Sequence, residues 1–108
     1  MNDRINELKK LLQDDPEDTF LHYALGLEYI KKGDPELALE RFEILLNKYP
    51  EYLPVYYQAA QLYLENGDYQ KAQNTFENGM VLARRLQEMK TYQELANAYN
   101  NFLYDMDE

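Results

Sequence analysis

The chain of 108 residues is long enough for one domain, and its 45% hydrophobic and 29% charged residues are typical of a folded globular protein. A net charge of −9 argues against nucleic-acid binding, which needs clustered Lys and Arg, and favours a neutral or basic partner. The chain has no cysteine, which excludes disulfides and thiolate chemistry, and no apolar run reaches the roughly 18 residues that span a bilayer. Its N-terminus lacks the order of a secretory signal, so we expect a cytoplasmic protein without membrane contact.

The first half of the chain predicts three helices. An apolar stripe at helical spacing marks the first helix and consists of Ile5, Leu8, Leu11 and Leu12. Asp15–Pro16 predicts the N-terminus of the second helix, and Gly33 predicts its end. The same Asp-Pro signal at residues 34–35 starts a third helix, which ends before Pro50.

The second half predicts three more helices. The fourth runs from about Leu53 to Glu65 and is followed by Asn66–Gly67, a pair that favours a left-handed C-terminal cap. Asp68 predicts the N-terminus of the fifth helix. Thr91 with Glu94 forms a capping-box pattern that predicts the start of the sixth. No stretch alternates with the two-residue period that is typical of a strand.

A repeat of 34 residues organises the sequence. Residues 29–42 and 63–76 share a skeleton of Tyr, Gly-Asp, Ala and Phe at equal offsets. The identical pairs at this offset are Tyr23/Tyr57, Tyr29/Tyr63, Gly33/Gly67, Asp34/Asp68, Ala38/Ala72, Phe42/Phe76 and Glu43/Glu77. Because each copy holds two helices joined by a short turn, the repeat predicts a stack of antiparallel hairpins, each too small to bury its apolar face alone.

This pattern resembles the tetratricopeptide repeat, a helix pair that recurs every 34 residues. The residues that carry the resemblance are Leu25, Gly26, Tyr29, Ala38, Phe42, Leu45 and Pro50 in the first copy and Ala60, Tyr63, Ala72 and Phe76 in the second. The second copy departs from the family at Gly79 and Arg84, where an apolar residue and a proline are usual. The departure at Arg84 predicts that the fifth helix continues to about Glu88. The resemblance implies an all-α fold, a right-handed α-solenoid of about six helices.

The resemblance also implies a single tetratricopeptide-like domain over residues 1–108. Its segments are an N-terminal helix like a repeat's second helix (1–15), repeat one (19–52), repeat two (53–88) and a C-terminal helix like a repeat's first helix (91–105). Within each pair we expect small residues where the helices approach closely, such as Gly26 and Ala60, with large rings such as Phe42 filling the gaps beside them.

Residues with catalytic or metal-binding chemistry form no recognisable site. His22 is the only histidine and falls where the repeat places a large core residue, so we expect it to be packed or partly exposed. The acidic residues 14–18 lie at a helix start, where carboxylates cap N–H groups, and they lack the spacing of a calcium loop. No phosphate-loop, dinucleotide or HExxH pattern occurs. We therefore expect no enzyme, no cofactor and no metal.

The resemblance implies a binding surface, because the first helices of the repeats in this family line a concave groove that holds a segment of a partner protein. The implied positions are Phe20, Tyr23, Leu27, Lys31, Tyr57, Gln61, Leu64, Gln93 and Asn97. The aromatic N-terminal part suits an apolar anchor, and the amides suit the backbone of an extended peptide. One subclass of the family grips a terminal carboxylate with Lys and Asn, but Tyr23, Leu27 and Tyr57 provide no such basic cluster.

Two functions stay open at this point. The first is a non-enzymatic protein–protein interaction scaffold that binds a neutral to basic segment with an apolar anchor. The alternative is a self-associating structural module, because a helix without its pair partner at each end of a stack invites a homo-oligomer. The amides have a simpler alternative as well, since Gln93 and Asn97 can merely solvate a capping helix.

Overall fold

The computed structural model describes residues 3–107, and these form six α-helices and no strand. The helices are α1 (Asp3–Asp14), α2 (Thr19–Lys32), α3 (Pro35–Lys48), α4 (Val55–Glu65), α5 (Tyr69–Arg85) and α6 (Met89–Met106). The predicted all-α fold class is confirmed. Residues 1, 2 and 108, which the predicted domain includes, lie outside the described residues.

The helices fall into two compact units, of which the first extends to Val55 and the second begins at Tyr56. In the first unit α2 packs against both α1 and α3. In the second unit α5 packs against α6, and its Gly79 lies against Tyr56 of α4. The single domain with the four segments predicted above stays a prediction.

The first unit is built around the fully buried ring of Phe42 on α3. This ring lies directly on Gly26 of α2, and a Cβ added to Gly26 would come within 2.8 Å of the ring atoms Cδ1 and Cζ. The expected close approach of the two helices at Gly26 is therefore confirmed. The same three helices also contribute fully buried aliphatic side chains to the core, among them Leu8, Leu25 and Leu45.

The second unit has an aromatic cluster between α5 and α6. The ring of Phe76, itself fully buried, lies with its centroid 5.7 Å from that of Tyr99 and 6.3 Å from that of Phe102. Tyr69 adds a fourth ring 6.1 Å from Phe102. Gly79 lies three residues after Phe76 on α5 and allows both α4 and α6 to come close. A Cβ at this position would lie 2.8 Å from Tyr56 Cβ and 3.1 Å from Leu95 Cδ1.

Three helices end in the same kind of turn. After α2 the N–H of Asp34 donates to Tyr29 O at 2.8 Å, and the N–H of Gly33, with φ 87°, donates to Ile30 O at 3.0 Å. The same pair of bonds follows α4, where Gly67 has φ 81°, and α5, where Gln87 has φ 60°. These are Schellman turns, in which the residue of positive φ reverses the chain and satisfies the last helical carbonyls.

The predicted start of the second helix at Asp15–Pro16 is wrong, because α2 begins at Thr19. Its N-cap is Asp18, whose Oδ1 accepts from the N–H of Leu21 at 3.1 Å. Residues 15–18 instead form a turn, with the N–H of Asp18 donating to Asp15 O at 3.2 Å. Because the Asp15 carbonyl accepts from Asp18 in this turn, the helical hydrogen bonds begin only with the Asp18 carbonyl, which accepts from the N–H of His22 at 3.3 Å.

Two predictions around the last connection are also wrong. The fifth helix does not continue to about Glu88 but ends at Arg85, because the Schellman turn at Gln87 reverses the chain. Thr91 and Glu94 do not form a capping box, since α6 has already begun at Met89 with Glu88 as its N-cap. The predicted caps at Asp34 and Asp68 stand in the N-cap position, although neither side chain bonds the helix.

Candidate functional site

Four of the predicted surface residues lie on one side of α2. Phe20, Tyr23, Leu27 and Lys31 follow each other at intervals of three or four residues, the spacing that aligns side chains along a helix. We call them the α2 stripe. The Asp18 cap fixes where the helix begins and therefore which side these residues occupy. Phe20 is 57% exposed, Lys31 is exposed, and Tyr23 and Leu27 are half-buried.

Tyr23 is held in place from behind by two other rings. Its centroid lies 5.9 Å from that of Phe42 and 5.6 Å from that of Tyr52, which belongs to the turn after α3. Burial, followed by the neighbouring Tyr23 and Asp18, raises the pKa of the Tyr52 hydroxyl. Tyr23 is thus a fixed ring with part of its surface in solvent.

Lys31 at the other end of the α2 stripe already has an ionic partner. Its Nζ lies 3.4 Å from Glu28 Oε2, one turn back along the helix. Such exposed pairs contribute little to stability, yet the nearby carboxylate offsets the charge that Lys31 could offer to a partner's carboxylate. This agrees with the lack of a basic cluster in the sequence.

Three predicted residues lie along α4 in the second unit. Tyr57, Gln61 and Leu64 follow the same interval of three or four residues, and we call them the α4 stripe. Tyr57 is 39% exposed, whereas its neighbour Tyr56 is buried against Gly79. Gln61 and Leu64 are half-buried. The buried side of α4 fixes the helix and leaves Tyr57 facing solvent.

The last two predicted residues lie on α6. Gln93 and Asn97 are exposed and one turn apart, and Gln93 Nε2 donates to Asn97 Oδ1 at 3.0 Å. This bond leaves the Gln93 carbonyl and the Asn97 amino group available, so the pair can both accept and donate.

The structure thus gathers the predicted residues into the α2 stripe, the α4 stripe and the amide pair on α6. Whether the two units align these groups into one continuous groove stays a prediction. Sequence reasoning did not assign Tyr52 to the surface it supports. The available signal was its place between Pro50 and Pro54, which indicates loop packing but not which ring Tyr52 contacts.

His22 has a structural position. It is buried, its Nε2 lies 2.8 Å from Pro16 O and its Nδ1 lies 3.4 Å from Arg41 Nη1. A carbonyl can only accept and a guanidinium can only donate, so Nε2 carries the proton and Nδ1 accepts. Through these two hydrogen bonds, His22 links the α1–α2 connection to α3.

Within residues 3–107, no group of three or more His, Cys, Asp or Glu side chains is arranged to hold a metal ion. In the same residues, no helix combines the length and the apolar character needed to cross a lipid bilayer.

Comparison with known proteins identifies the same repeat. A family model described as tetratricopeptide repeat matches residues 29–81. The crystal structure of a tetratricopeptide repeat domain protein from Salinibacter ruber is similar at a TM-score of 0.76 and 33% identity, covering 79% of this chain and 94% of that one. A solution structure of such a domain protein from the same organism gives 0.75 and 34%, covering 80% and 87%.

Two further similarities are more distant. The crystal structure of MamA has a TM-score of 0.66 at 20% identity and covers 98% of this chain and 68% of that one, a likeness that concerns the fold alone. The antiviral innate immune response effector IFIT1 of Macaca fascicularis is 29% identical over 116 residues, 88% of this chain. The chain spans 24% of the length of that curated relative.

Proposed function

Because this chain belongs to the tetratricopeptide repeat family, whose fold generally serves as a protein-interaction module, we propose that it is a non-enzymatic scaffold for a segment of a partner protein. The segment lies on the α2 stripe, the α4 stripe and the amide pair of α6, on the concave face that the family resemblance implies. The observation that carries the proposal is the 57% exposed ring of Phe20 on the same side of α2 as Tyr23 and Leu27. The cytoplasmic location expected from the sequence stays a prediction.

The α2 stripe suits an apolar anchor of the partner. Burying what remains exposed of these rings contributes roughly 25 cal/mol for each Å² removed from water. Tyr23 is already fixed by Phe42 and Tyr52, so binding costs little further ordering of this side chain. A rigid aromatic platform of this kind is a typical position for a binding hot spot.

The net charge of the chain favours particular residues on either side of the partner's apolar anchor. A net charge of −9 attracts basic segments and repels acidic ones, and it does not disfavour neutral ones. The Lys31–Glu28 pair leaves no isolated cation on the α2 stripe to hold a carboxylate. We therefore propose an internal, extended segment with one large apolar residue and neutral or basic flanks.

The test uses a partner captured with the wild-type chain, purified and titrated by calorimetry. Truncating Phe20 or Tyr57 to Ala should weaken binding by on the order of 2 kcal/mol each if they are hot spots, while circular dichroism keeps the wild-type helicity. Leu37→Ala, at an apolar residue 37% exposed on α3, is the matched control and should leave the affinity unchanged. Wild-type affinity in the Phe20→Ala, Tyr23→Ala and Tyr57→Ala variants alike would refute the surface.

Self-association is the alternative proposal, and exposed apolar side chains on the first and last described helices favour it. Leu11 of α1 is 49% exposed, and Tyr104 and Met106 of α6 are 71% and 52% exposed. Light scattering on the same purified variants separates the two. A strictly monomeric chain at high micromolar concentration removes self-association, whereas an oligomer that Leu11→Ser or Tyr104→Ser dissociates supports it.

A further inference from the structure

The chain contains the dipeptide Asn-Gly twice, at residues 66–67 and 78–79. Asparagine followed by glycine is the pair in which a backbone nitrogen most readily attacks the preceding side-chain amide, because glycine has no Cβ to hinder the approach. The two copies lie in opposite surroundings, so the structure distinguishes them although the sequence does not.

Asn66 lies in the exposed Schellman turn that connects α4 and α5. Its Nδ2 donates to Asp68 Oδ2 at 2.9 Å, an exposed hydrogen bond between the two side chains that flank Gly67. The N–H of Gly67 donates to Leu64 O at 3.1 Å, and a Cβ at Gly67 would meet nothing within 4 Å. Only this exposed turn must open to free the nitrogen for attack.

Asn78 is exposed as well, but the glycine that follows it lies in the middle of α5 and is buried. Gly79 lies against Tyr56 of α4 and Leu95 of α6, so the backbone there cannot move without separating three helices. Its nitrogen stays in the helical hydrogen-bond ladder until the second unit unfolds.

We propose that Asn66 is a site of spontaneous deamidation in the folded protein and that Asn78 is protected. The Gly67 nitrogen forms a bond with Asn66 Cγ, the bond from Cγ to the side-chain nitrogen breaks, and that nitrogen leaves as ammonia with the proton displaced from Gly67. The product is a five-membered succinimide. Water then adds to one of its two carbonyls and opens the ring, giving aspartate or isoaspartate without any oxidant or reductant.

The product changes the connection between α4 and α5. Either isomer adds a negative charge at the C-terminal end of α4, where the helix dipole disfavours it. Isoaspartate also lengthens the main chain by one methylene between Tyr63 and Asp68, the two residues joined by the outer hydrogen bond of the Schellman turn. This displaces the bond from the Asp68 N–H to Tyr63 O, so the modified chain should hold α4 less firmly than the original.

The experiment ages the purified full chain in mildly alkaline, ammonia-free buffer and follows both sites by mass spectrometry. Tryptic cleavage after Lys71 places Asn66 and Asn78 on different peptides. In the folded chain we expect Asn66 to gain the mass of the carboxyl product at least about tenfold faster than Asn78, because local opening requires less free energy than unfolding a helical core. In urea, which removes the structure, the two rates should become similar.

Asn66→Gln is the matched control, because it keeps the amide but would require a six-membered ring, and its peptide should stay unmodified. Equal rates at the two sites in the folded chain would overturn the proposal. So would an Asn66 that reacts only in urea, since the folded turn would then protect it as well as α5 protects Asn78. Electron-transfer fragmentation of the Asn66 peptide separates isoaspartate from aspartate and checks the succinimide route.

Discussion

Gly26 and Gly79 show how single residues determine the packing of this chain. Each lies where a missing Cβ leaves space for a neighbour, Phe42 in one unit and Tyr56 in the other. At Gly26 the repeat pattern predicted this relation, because the family pairs a small residue with a large ring. At Gly79 the sequence looked like a departure from the pattern, yet the structure shows a second close approach, with Leu95 on α6 as well.

Substituting Gly26 with Ala should destabilise the first unit. The new Cβ would overlap the Phe42 ring, whose Cδ1 and Cζ lie 2.8 Å away, and a fully buried ring has little room to shift. We expect the free energy of unfolding to fall by about 1–3 kcal/mol, measured by urea denaturation, even though Ala has the higher helix propensity.

The matched comparison makes the same substitution in a Phe42→Leu background. A smaller side chain removes the overlap, so Gly26→Ala should then cost little, and the two substitutions should be coupled in a double-mutant cycle. An equal cost in both backgrounds would place the strain somewhere other than this ring.

At the scale of elements, the three Schellman turns explain which helix ends could be predicted. Gly33 and Gly67 predict helix ends in the sequence, and α2 and α4 end at these glycines as expected. Gln87 adopts the same left-handed conformation without being glycine, so the sequence carried no signal and the fifth helix was predicted about three residues too long. The predicted capping box at Thr91 is wrong for the same reason: the turn at Gln87 lets α6 begin already at Met89.

Gln87→Gly should therefore stabilise the second unit. A non-glycine residue in the left-handed region costs about 1–2 kcal/mol, and glycine removes this cost. Because glycine also has more conformational freedom in the unfolded chain, the net gain in the free energy of unfolding should be about 0.5–1 kcal/mol. Thermal and urea unfolding measure the gain. The reciprocal Gly33→Gln should lose a similar amount, because no atom lies within 4 Å of the added Cβ and only conformation is changed. No gain from glycine at position 87 would show that the turn is not strained.

At the scale of the whole molecule, the sequence predicted the family and the helices better than the surface. A period of 34 residues and a set of small and large positions recur whatever the loops do, so the resemblance led to the right fold class. The contact of Tyr23 with Tyr52 depends on the path of the chain between Pro50 and Pro54, which no helical period encodes. Residues 20, 23, 27 and 31 could be assigned to one side of α2 by spacing alone, but not their exposure.

Alkaline pH should destabilise both units through their tyrosines. Burial raises the pKa of Tyr52 in the first unit, and burial together with a hydrogen bond to Glu77 raises that of Tyr99 in the second. At pH values below the ordinary tyrosine pKa of about 10, each hydroxyl is protonated in both the folded and the unfolded chain, so its titration does not change the free energy of unfolding. Above that value the unfolded chain releases the proton while the folded chain still holds it, so the free energy of unfolding falls as pH rises towards the folded-state pKa.

Tyr99→Phe should remove one part of this decrease in the free energy of unfolding at alkaline pH. Phenylalanine keeps the ring beside Phe76 and Phe102 but has no proton to release, so urea unfolding at a series of pH values above 10 should show a shallower decline than the wild type. Glu77→Gln should act in the same direction, since it removes the charge that disfavours the phenolate. Gln93→Ala leaves every tyrosine in place and should decline like the wild type. A Tyr99→Phe variant with the full wild-type slope would show that the folded chain does not hold this proton more tightly than the unfolded chain does.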